Sequence, residues 1–218
     1  MRVDGEGPTP CDWMIVGEGP GWQEDRTGHP FVGKTGEELT RQCEGNHLPI
    51  PRKQIFLTNL YRIYGGKDYD FTAADLARDE PALRAELARV QPAVIIPLGR
   101  HAARYFLGDV DLDAVQGIPW YWPEDGTTVI LPIVHPAAGF HNPEMSAYVT
   151  AGFSALSSFV AGILTPRSLF DDPIPEALAD AVRRLNNNYD SYNPNTIKAQ
   201  AALFSSDKFR KLITEIIA

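Results

Sequence analysis

Short apolar runs alternate with longer amphipathic stretches along the first three quarters of the chain. The apolar runs are Trp13–Gly17 and residues 55–59, 93–98 and 129–134, and runs of this length are typical of buried strands. Helical spacing of apolar positions predicts helices over residues 35–44, Ala73–Val90 (with Thr72 as N-cap), Arg100–Leu107 and 144–162. Strands that alternate with helices indicate an α/β fold of three αβα layers around a mostly parallel four-stranded sheet. Residues 117–122 are a candidate for an added edge strand.

The last quarter of the chain has a different pattern. Residues 174–185 have helical spacing, residues 186–195 form a polar, turn-rich connector, and residues 196–217 suggest one or two further helices. We therefore predict one domain over residues 1–165 and a helical C-terminal extension over residues 166–218. The extension either packs on the domain or binds a partner or DNA, and the pattern leaves both interpretations open.

Composition and charge narrow the class of protein. The 218 residues are 44% hydrophobic and 22% charged, which is ordinary for a globular protein and long enough for a sizeable core. No apolar run is long enough to span a membrane, and no leader follows Met1, so we expect a cytoplasmic protein that does not bind membranes. The formal charge of −8 argues mildly against a nucleic-acid partner. Local charge matters more, and cationic residues collect around the segments discussed next: Arg26, His29, Lys34, Arg41, His135 and His141.

The most informative stretch is residues 14–36, where an apolar strand ends at Gly17 and runs into a turn through Gly19, Pro20 and Gly21. An α/β sheet places such a turn at its carboxyl edge, where ligands bind. The turn has neither a Walker Lys-Ser/Thr ending nor a Gly-x-Gly-x-x-Gly register, so it is a weak candidate for a nucleotide-phosphate site.

Residues 17–36 resemble the first motif of the uracil-DNA glycosylase superfamily, most closely its family 4. That motif reads Gly-Glu-x-Pro-Gly-x-x-Glu-Asp-x-x-Gly-x-Pro-Phe-Val-Gly-x-x-Gly, and the chain matches it at every fixed position. Three further segments continue the resemblance: Leu57-Thr58-Asn59, Leu98-Gly99 with Ala102, and His135-Pro136. The resemblance covers about residues 11–163.

The resemblance implies a monofunctional DNA N-glycosylase that flips a uracil or a modified pyrimidine out of DNA and hydrolyses its N-glycosidic bond. Phe31 would stack on the flipped base, and the Asn59 amide would read its edge by donating and accepting at once. His135 would donate to the base O2 as negative charge develops there. The implied residues are Glu18, Asp25 and His135 for catalysis, with the two carboxylates as candidates to position water, Gly19, Gly21, Phe31 and Asn59 for the base, and Ala137, Gly139, Phe140 and His141 for DNA.

The sequence also departs from family 4. The family carries four cysteines for an iron–sulfur cluster, whereas this chain has two, Cys11 and Cys43, so we expect no cluster, no other cofactor and no metal. The Ser of the family's His-Pro-Ser is Ala137, and Gly139-Phe140 replaces the usual Leu pair of the loop that wedges into the base stack. The trio Trp120-Tyr121-Trp122 either packs in the core, which we favour, or widens the pocket for a bulky base such as one from phage DNA. We expect a monomer that binds DNA, and the alternative is a catalytically weakened superfamily member that only binds DNA or a protein.

Overall fold

The computed structural model describes residues 1–44, 50–66, 69–140, 142–162 and 164–167. Its strands are β1 (Trp13–Gly17), β2 (Phe56–Asn59), β3 (Val94–Pro97), β4 (Trp120–Tyr121) and β5 (Val129–Ile130). Its helices are α1 (Trp22–Thr27), α2 (Lys34–Glu44), α3 (Ala73–Val90), α4 (Arg100–Leu107), α5 (Leu112–Val115) and α6 (Pro143–Val160). The predicted extension from residue 168 onwards lies outside the described residues, so the predicted division into two domains stays a prediction.

The sheet is mostly parallel, as predicted, but has five strands in the order β2-β1-β3-β5-β4. The added strand is β4, which pairs antiparallel with β5. The parallel ladder continues beyond β5, because Leu131 and Ile133 donate backbone hydrogen bonds to Ile95 and Pro97. The predicted strand over 129–134 is therefore paired with β3 beyond the bounds of β5. Pro132, which has no N–H to donate, belongs to the alternate positions that face away from β3, and its carbonyl accepts from the Gly117 amide at 2.9 Å.

Alternating residues of the central strands supply two separate cores, which confirms the three-layer prediction. Ile15 and Ile96 pack on one face with residues of α2 and α6, such as Leu39 and Phe153. Met14, Val16 and Ile95 pack on the other face with residues of α3 and α4. Because successive strand side chains point to opposite faces, a near-continuous apolar strand can fill both cores.

The connections after β1 and β3 run in opposite directions along the strand order of the sheet. The chain passes from β1 to β2 on one side, and from β3 to β5 on the other. The carboxyl ends of β1 and β3 thus flank a topological switch point, which is where open α/β sheets bind ligands.

Residues 2–6, which we call the N-terminal segment, cover the outer edge of β2. Glu6 and Leu57 exchange two backbone hydrogen bonds, of 2.9 and 2.7 Å. Val3 donates to the carbonyl of Arg62 at 2.8 Å and is itself buried. The segment therefore satisfies backbone groups of an edge strand that would otherwise meet solvent.

A buried ion pair ties β2 to α3. Arg62 is fully buried and donates to both carboxylate oxygens of Glu86, at 3.0 and 2.7 Å. Glu86 also accepts from the Thr58 hydroxyl at 2.7 Å and from the Gly5 amide at 2.9 Å. This network fixes the residue that directly precedes Asn59.

The sequence missed two short helices, α1 and α5. The Gly-Pro-Gly turn and the brevity of both segments hid them, since neither is long enough to show a helical period. None of the helices in the described residues combines the length and the apolar character that crossing a bilayer requires.

Candidate active site

A cleft of about 310 Å³ opens at the carboxyl edge of the sheet, beside the switch point. Its size lies at the lower end of the range for small-molecule sites. Its wall combines the turn after β1, the loop into α2, the end of β2, and His135, which follows the ladder that extends β5. The lining residues are Gly19, Gly21, Trp22, Gln23, Glu24, Phe31, Gly33, Lys34, Thr35, Asn59 and His135.

Asn59 ends β2 and turns its amide into this cleft. Its register partner is Gly17 of β1, where an added Cβ would lie 2.3 Å from the Asn59 Oδ1. Asn59 is only 4% exposed, and in the described part of the chain its amide has no hydrogen-bond partner. Since buried polar groups are normally paired, this amide is available to a ligand's polar edge.

Phe31 lies against the same glycine, with its Cζ 2.8 Å from an added Cβ at Gly17. Its backbone is in the left-handed region, at φ 55°, which is uncommon for a bulky residue. Arg52 secures this conformation by donating to the Phe31 carbonyl at 2.7 Å, to the Gly36 carbonyl at 2.8 Å and to the Thr40 hydroxyl at 2.7 Å. The strained backbone is therefore held by contacts from outside the motif.

Glu24 caps the loop that carries Phe31. Its Oε1 accepts from the amides of Val32 and Gly33, at 3.1 and 2.9 Å, and its side chain is buried. Gly21 permits this approach, because an added Cβ there would lie 2.7 Å from the Glu24 Oε2. Glu24, one of three acidic residues in the motif, thus stabilises the wall of the cleft.

His135 follows the ladder that extends β5, at the same carboxyl edge of the sheet. Gly99, at φ 89°, packs against it, because an added Cβ on Gly99 would lie 3.3 Å from the His135 Cβ. Burial lowers the pKa of His135 below its ordinary value of 6.5, and the nearby Glu18 carboxylate opposes this only in part. The ring is therefore neutral at pH 7. Its Nδ1 accepts from the Ala137 amide at 3.3 Å, which leaves the proton on Nε2. His135 is thus a neutral donor at the wall of the cleft.

The two carboxylates predicted to position water do not line the cleft. Glu18 pairs with Nδ1 of His101 on α4, at 2.6 Å. Asp25 accepts from the amino group of Met1. Glu18 is the nearer of the two to the chemistry, because its charge acts on His135.

Gly19 is confined by an aromatic stack. An added Cβ at Gly19 would lie 2.7 Å from the Phe71 ring, and Phe71 stacks on Tyr61 with ring centres 3.9 Å apart. A side chain at position 19 would therefore displace Phe71. Glycine at position 19 is therefore required by the packing of this chain.

The predicted DNA-binding loop forms a short 3-10 turn, Pro136–Gly139, against α2 and α6. Gly139 permits close packing, because an added Cβ would lie 3.0 Å from the Ser146 Cα. Phe140 is 39% exposed, and neither it nor Ala137 lines the cleft. His141 lies outside the described residues.

Two residues of the aromatic trio at β4, Trp120 and Trp122, pack against the core as we favoured, whereas Tyr121 is exposed. Trp122 makes an edge contact with Phe106 of α4, at 5.5 Å between ring centres. Trp120 packs against the core on the α3 and α4 face of the sheet. The trio does not widen the pocket.

The cysteines do not fit an iron–sulfur cluster. A cluster needs four thiolates, and this chain has two cysteines, both buried. The Cys11 thiol donates to the carbonyls of Trp13 and Gln54, each at 3.1 Å. Among the described residues, no group of three or more potential ligands could hold a metal ion. That the purified protein lacks a cluster stays a prediction.

Sequence reasoning missed several residues that line the cleft and one, Arg52, that supports its wall. Arg52 acts on Phe31 from 21 positions away, and no local pattern marks it. Trp22 had a signal in the chain, since it directly follows the glycine-rich turn at the end of β1. Gln23, Lys34 and Thr35 complete the wall.

Comparison with known proteins agrees with this geometry. Residues 5–157 match the sequence model of the "Uracil DNA glycosylase superfamily". The chain is 32% identical to the type-4 uracil-DNA glycosylase of Saccharolobus solfataricus over 166 residues, which cover 72% of this chain and 76% of the relative. It is 29% identical to that of Sulfurisphaera tokodaii over 171 residues, covering 76% of each chain. The Thermotoga maritima enzyme of the same name is 30% identical over 162 residues, covering 72% of this chain and 82% of the relative. The resemblance drawn from the motifs is confirmed.

Proposed function

The chain belongs to the uracil-DNA glycosylase superfamily, and we propose that it is a monofunctional N-glycosylase that removes uracil from DNA by hydrolysis. One observation carries this proposal. Asn59 is a buried residue whose amide has no hydrogen-bond partner within the described residues, and it shares a cleft with the ring of Phe31. An amide can accept from the uracil N3–H and donate to O4, while an aromatic ring covers the base face.

His135 supplies the main catalytic interaction of the proposal. Breaking the N1–C1′ bond leaves an anionic base and a cationic sugar. A neutral imidazole with its proton on Nε2 can donate to the base O2 as that charge develops. Because the Ala137 amide already occupies Nδ1, the ring is oriented before substrate arrives, and no reorganisation is needed during the reaction.

Glu18 is our candidate for positioning the water. It is paired with His101 outside the lining of the cleft, and its charge acts on His135. A carboxylate there would also stabilise the cationic sugar. We keep Asp25 as the weaker candidate, since its partner is the Met1 amino group. Phe140, exposed on the turn after His135, is the proposed wedge that fills the space left by the flipped base.

Single-turnover kinetics on oligonucleotides with one defined base test the proposal. We expect excision of uracil. Hypoxanthine, xanthine and bulky 5-substituted pyrimidines are screened alongside as alternative bases. Asn59→Ala and Phe31→Ala should abolish excision with the circular dichroism unchanged. His135→Ala should lower the rate by about 10²–10³-fold. His29→Ala is the matched control, since His29 is exposed and does not line the cleft. An equally fast His135→Ala would refute the mechanism.

A second candidate function is DNA binding without hydrolysis. It is favoured by one observation, that Glu18 and Asp25 are both engaged outside the cleft. The same screen separates the two: wild-type protein that binds these oligonucleotides but excises no base would support the second. We also propose that the protein is monomeric and cytoplasmic, which sedimentation and fractionation would test.

A further inference from the structure

Trp22 is the most exposed aromatic side chain among the described residues. It begins α1, lines the cleft, and is 58% exposed. Isolated exposed aromatics are unremarkable on a protein surface. This one lines the same cleft as Phe31 and Asn59, so a ligand that extends beyond the proposed base pocket can contact its ring.

Arg26 lies one helical turn later, with its guanidinium carbon 4.9 Å from the centre of the Trp22 ring. The stack holds a positive charge beside a residue of the cleft wall and covers one face of the indole. Within the described part of the chain, Arg26 has no carboxylate partner. On a chain with a formal charge of −8, a fixed and unpaired cation beside a cleft is suited to a phosphate group.

We propose that Trp22 and Arg26 form a second nucleotide subsite, which takes the nucleotide adjacent to the flipped one in single-stranded DNA. The base stacks on the uncovered part of the indole, and Arg26 contacts its phosphate. Stacking on Trp22 requires that the neighbouring base has left the helical stack, which a single strand permits without loss of pairing. The subsite rests on the proposed function only for the identity of the flipped nucleotide beside it.

A double-mutant cycle tests the subsite, with one change in the protein at Trp22 and the other in the DNA at the base next to the flipped nucleotide. The probes are single-stranded oligonucleotides that carry one 2′-fluoro-deoxyuridine, to slow hydrolysis, with a normal or an abasic nucleotide on its 5′ or 3′ side. We expect wild-type affinity to fall about 5- to 100-fold when the neighbour on one side is abasic, the range for loss of one aromatic stack. Trp22→Ala should bind the normal probe that much more weakly and lose nothing further on the abasic probe. Trp22→Phe should restore most of the affinity.

The control is Tyr121→Ala, an exposed aromatic on β4 outside the cleft, which should bind like wild type. If Trp22→Ala loses affinity equally on normal and abasic probes of both sides, the base does not stack on Trp22 and the proposal is overturned. Because the measurement is binding, it is independent of excision. A coupled Trp22 in a protein that excises no base would support the subsite and reject the proposed function, and excision without coupling would do the reverse.

Arg26 is tested by salt dependence. One lost phosphate contact should reduce the slope of log affinity against log salt by about 0.7 on single-stranded DNA. Arg26→Gln should show this reduction. Arg89→Gln should not show it. Arg89 lies in the last turn of α3 and stacks on Phe56, the first residue of β2, at the amino edge of the sheet away from the cleft. Equal slopes for wild type and Arg26→Gln would remove the phosphate contact from the proposal.

Discussion

Gly17→Ala is expected to lower the excision rate by about 10²-fold while leaving the fold intact. The added methyl would lie 2.3 Å from the Asn59 Oδ1 and 2.8 Å from the Phe31 Cζ. Ordinary contact begins near 3.4 Å, so the Asn59 oxygen must move by about 1.1 Å. A misplacement of about 1 Å in a site can lower a rate about 10²-fold. The substitution therefore disturbs both base-recognising groups through one atom.

The stability cost should be modest. Gly17 does not have a left-handed backbone, so alanine is sterically allowed, and overpacking costs about 1–3 kcal/mol. For a chain of this size that is a decrease of a few degrees in melting temperature per kcal/mol. Single-turnover excision and thermal unfolding, measured on the same sample, separate the two effects.

Gly152→Ala is the matched control. Gly152 lies in α6, and an added Cβ would lie 2.8 Å from the Ile133 Cγ2, away from the cleft. It should show a similar loss of stability with an excision rate near that of wild type. If Gly17→Ala also excises at the wild-type rate, then Asn59 and Phe31 are not the groups that hold the base in place.

Three further predictions concern the supports of the cleft. Arg52→Met should lower the excision rate by about tenfold or more through release of the Phe31 backbone, and an unchanged rate would show that the left-handed turn is stable without it. Glu86→Gln should lower the free energy of unfolding by about 3–5 kcal/mol in urea, because it leaves the Arg62 charge buried; a loss under about 1 kcal/mol would contradict this. The lowered pKa of His135 means that the unfolded chain takes up its proton first as the pH falls below 6.5, so stability should decrease from pH 6.5 downwards. NMR titration of the ring gives the folded-state pKa directly, and a value at or above 6.5 would reject the argument.

Most of the framework could be predicted from the chain because its elements carry local signals. The bounds of β1, α3 and α4 follow from an apolar run, the Thr72 capping box and a glycine before the helix. Short elements carry no such signal, and α1 was hidden by the turn residues before it. The antiparallel direction of β4 depends on pairing with β5, which no local pattern contains.

The candidate site divides in the same way. The motifs located Phe31, Asn59 and His135, which all line one cleft. They could not show that Glu18 turns towards His101, because that contact spans 83 positions along the chain. Motif matching identifies residue types at fixed spacing. The partner that each carboxylate finds is decided by tertiary packing.

The N-terminal segment has a consequence for self-association. An edge strand with free amides and carbonyls is a template for pairing with a second copy of itself. Residues 2–6 occupy that template on β2, beside the strand end that carries Asn59. Residues 2–6 do not line the cleft. By covering β2 they keep the sheet from extending into a neighbouring molecule, and a change confined to them should lower solubility before it lowers the excision rate.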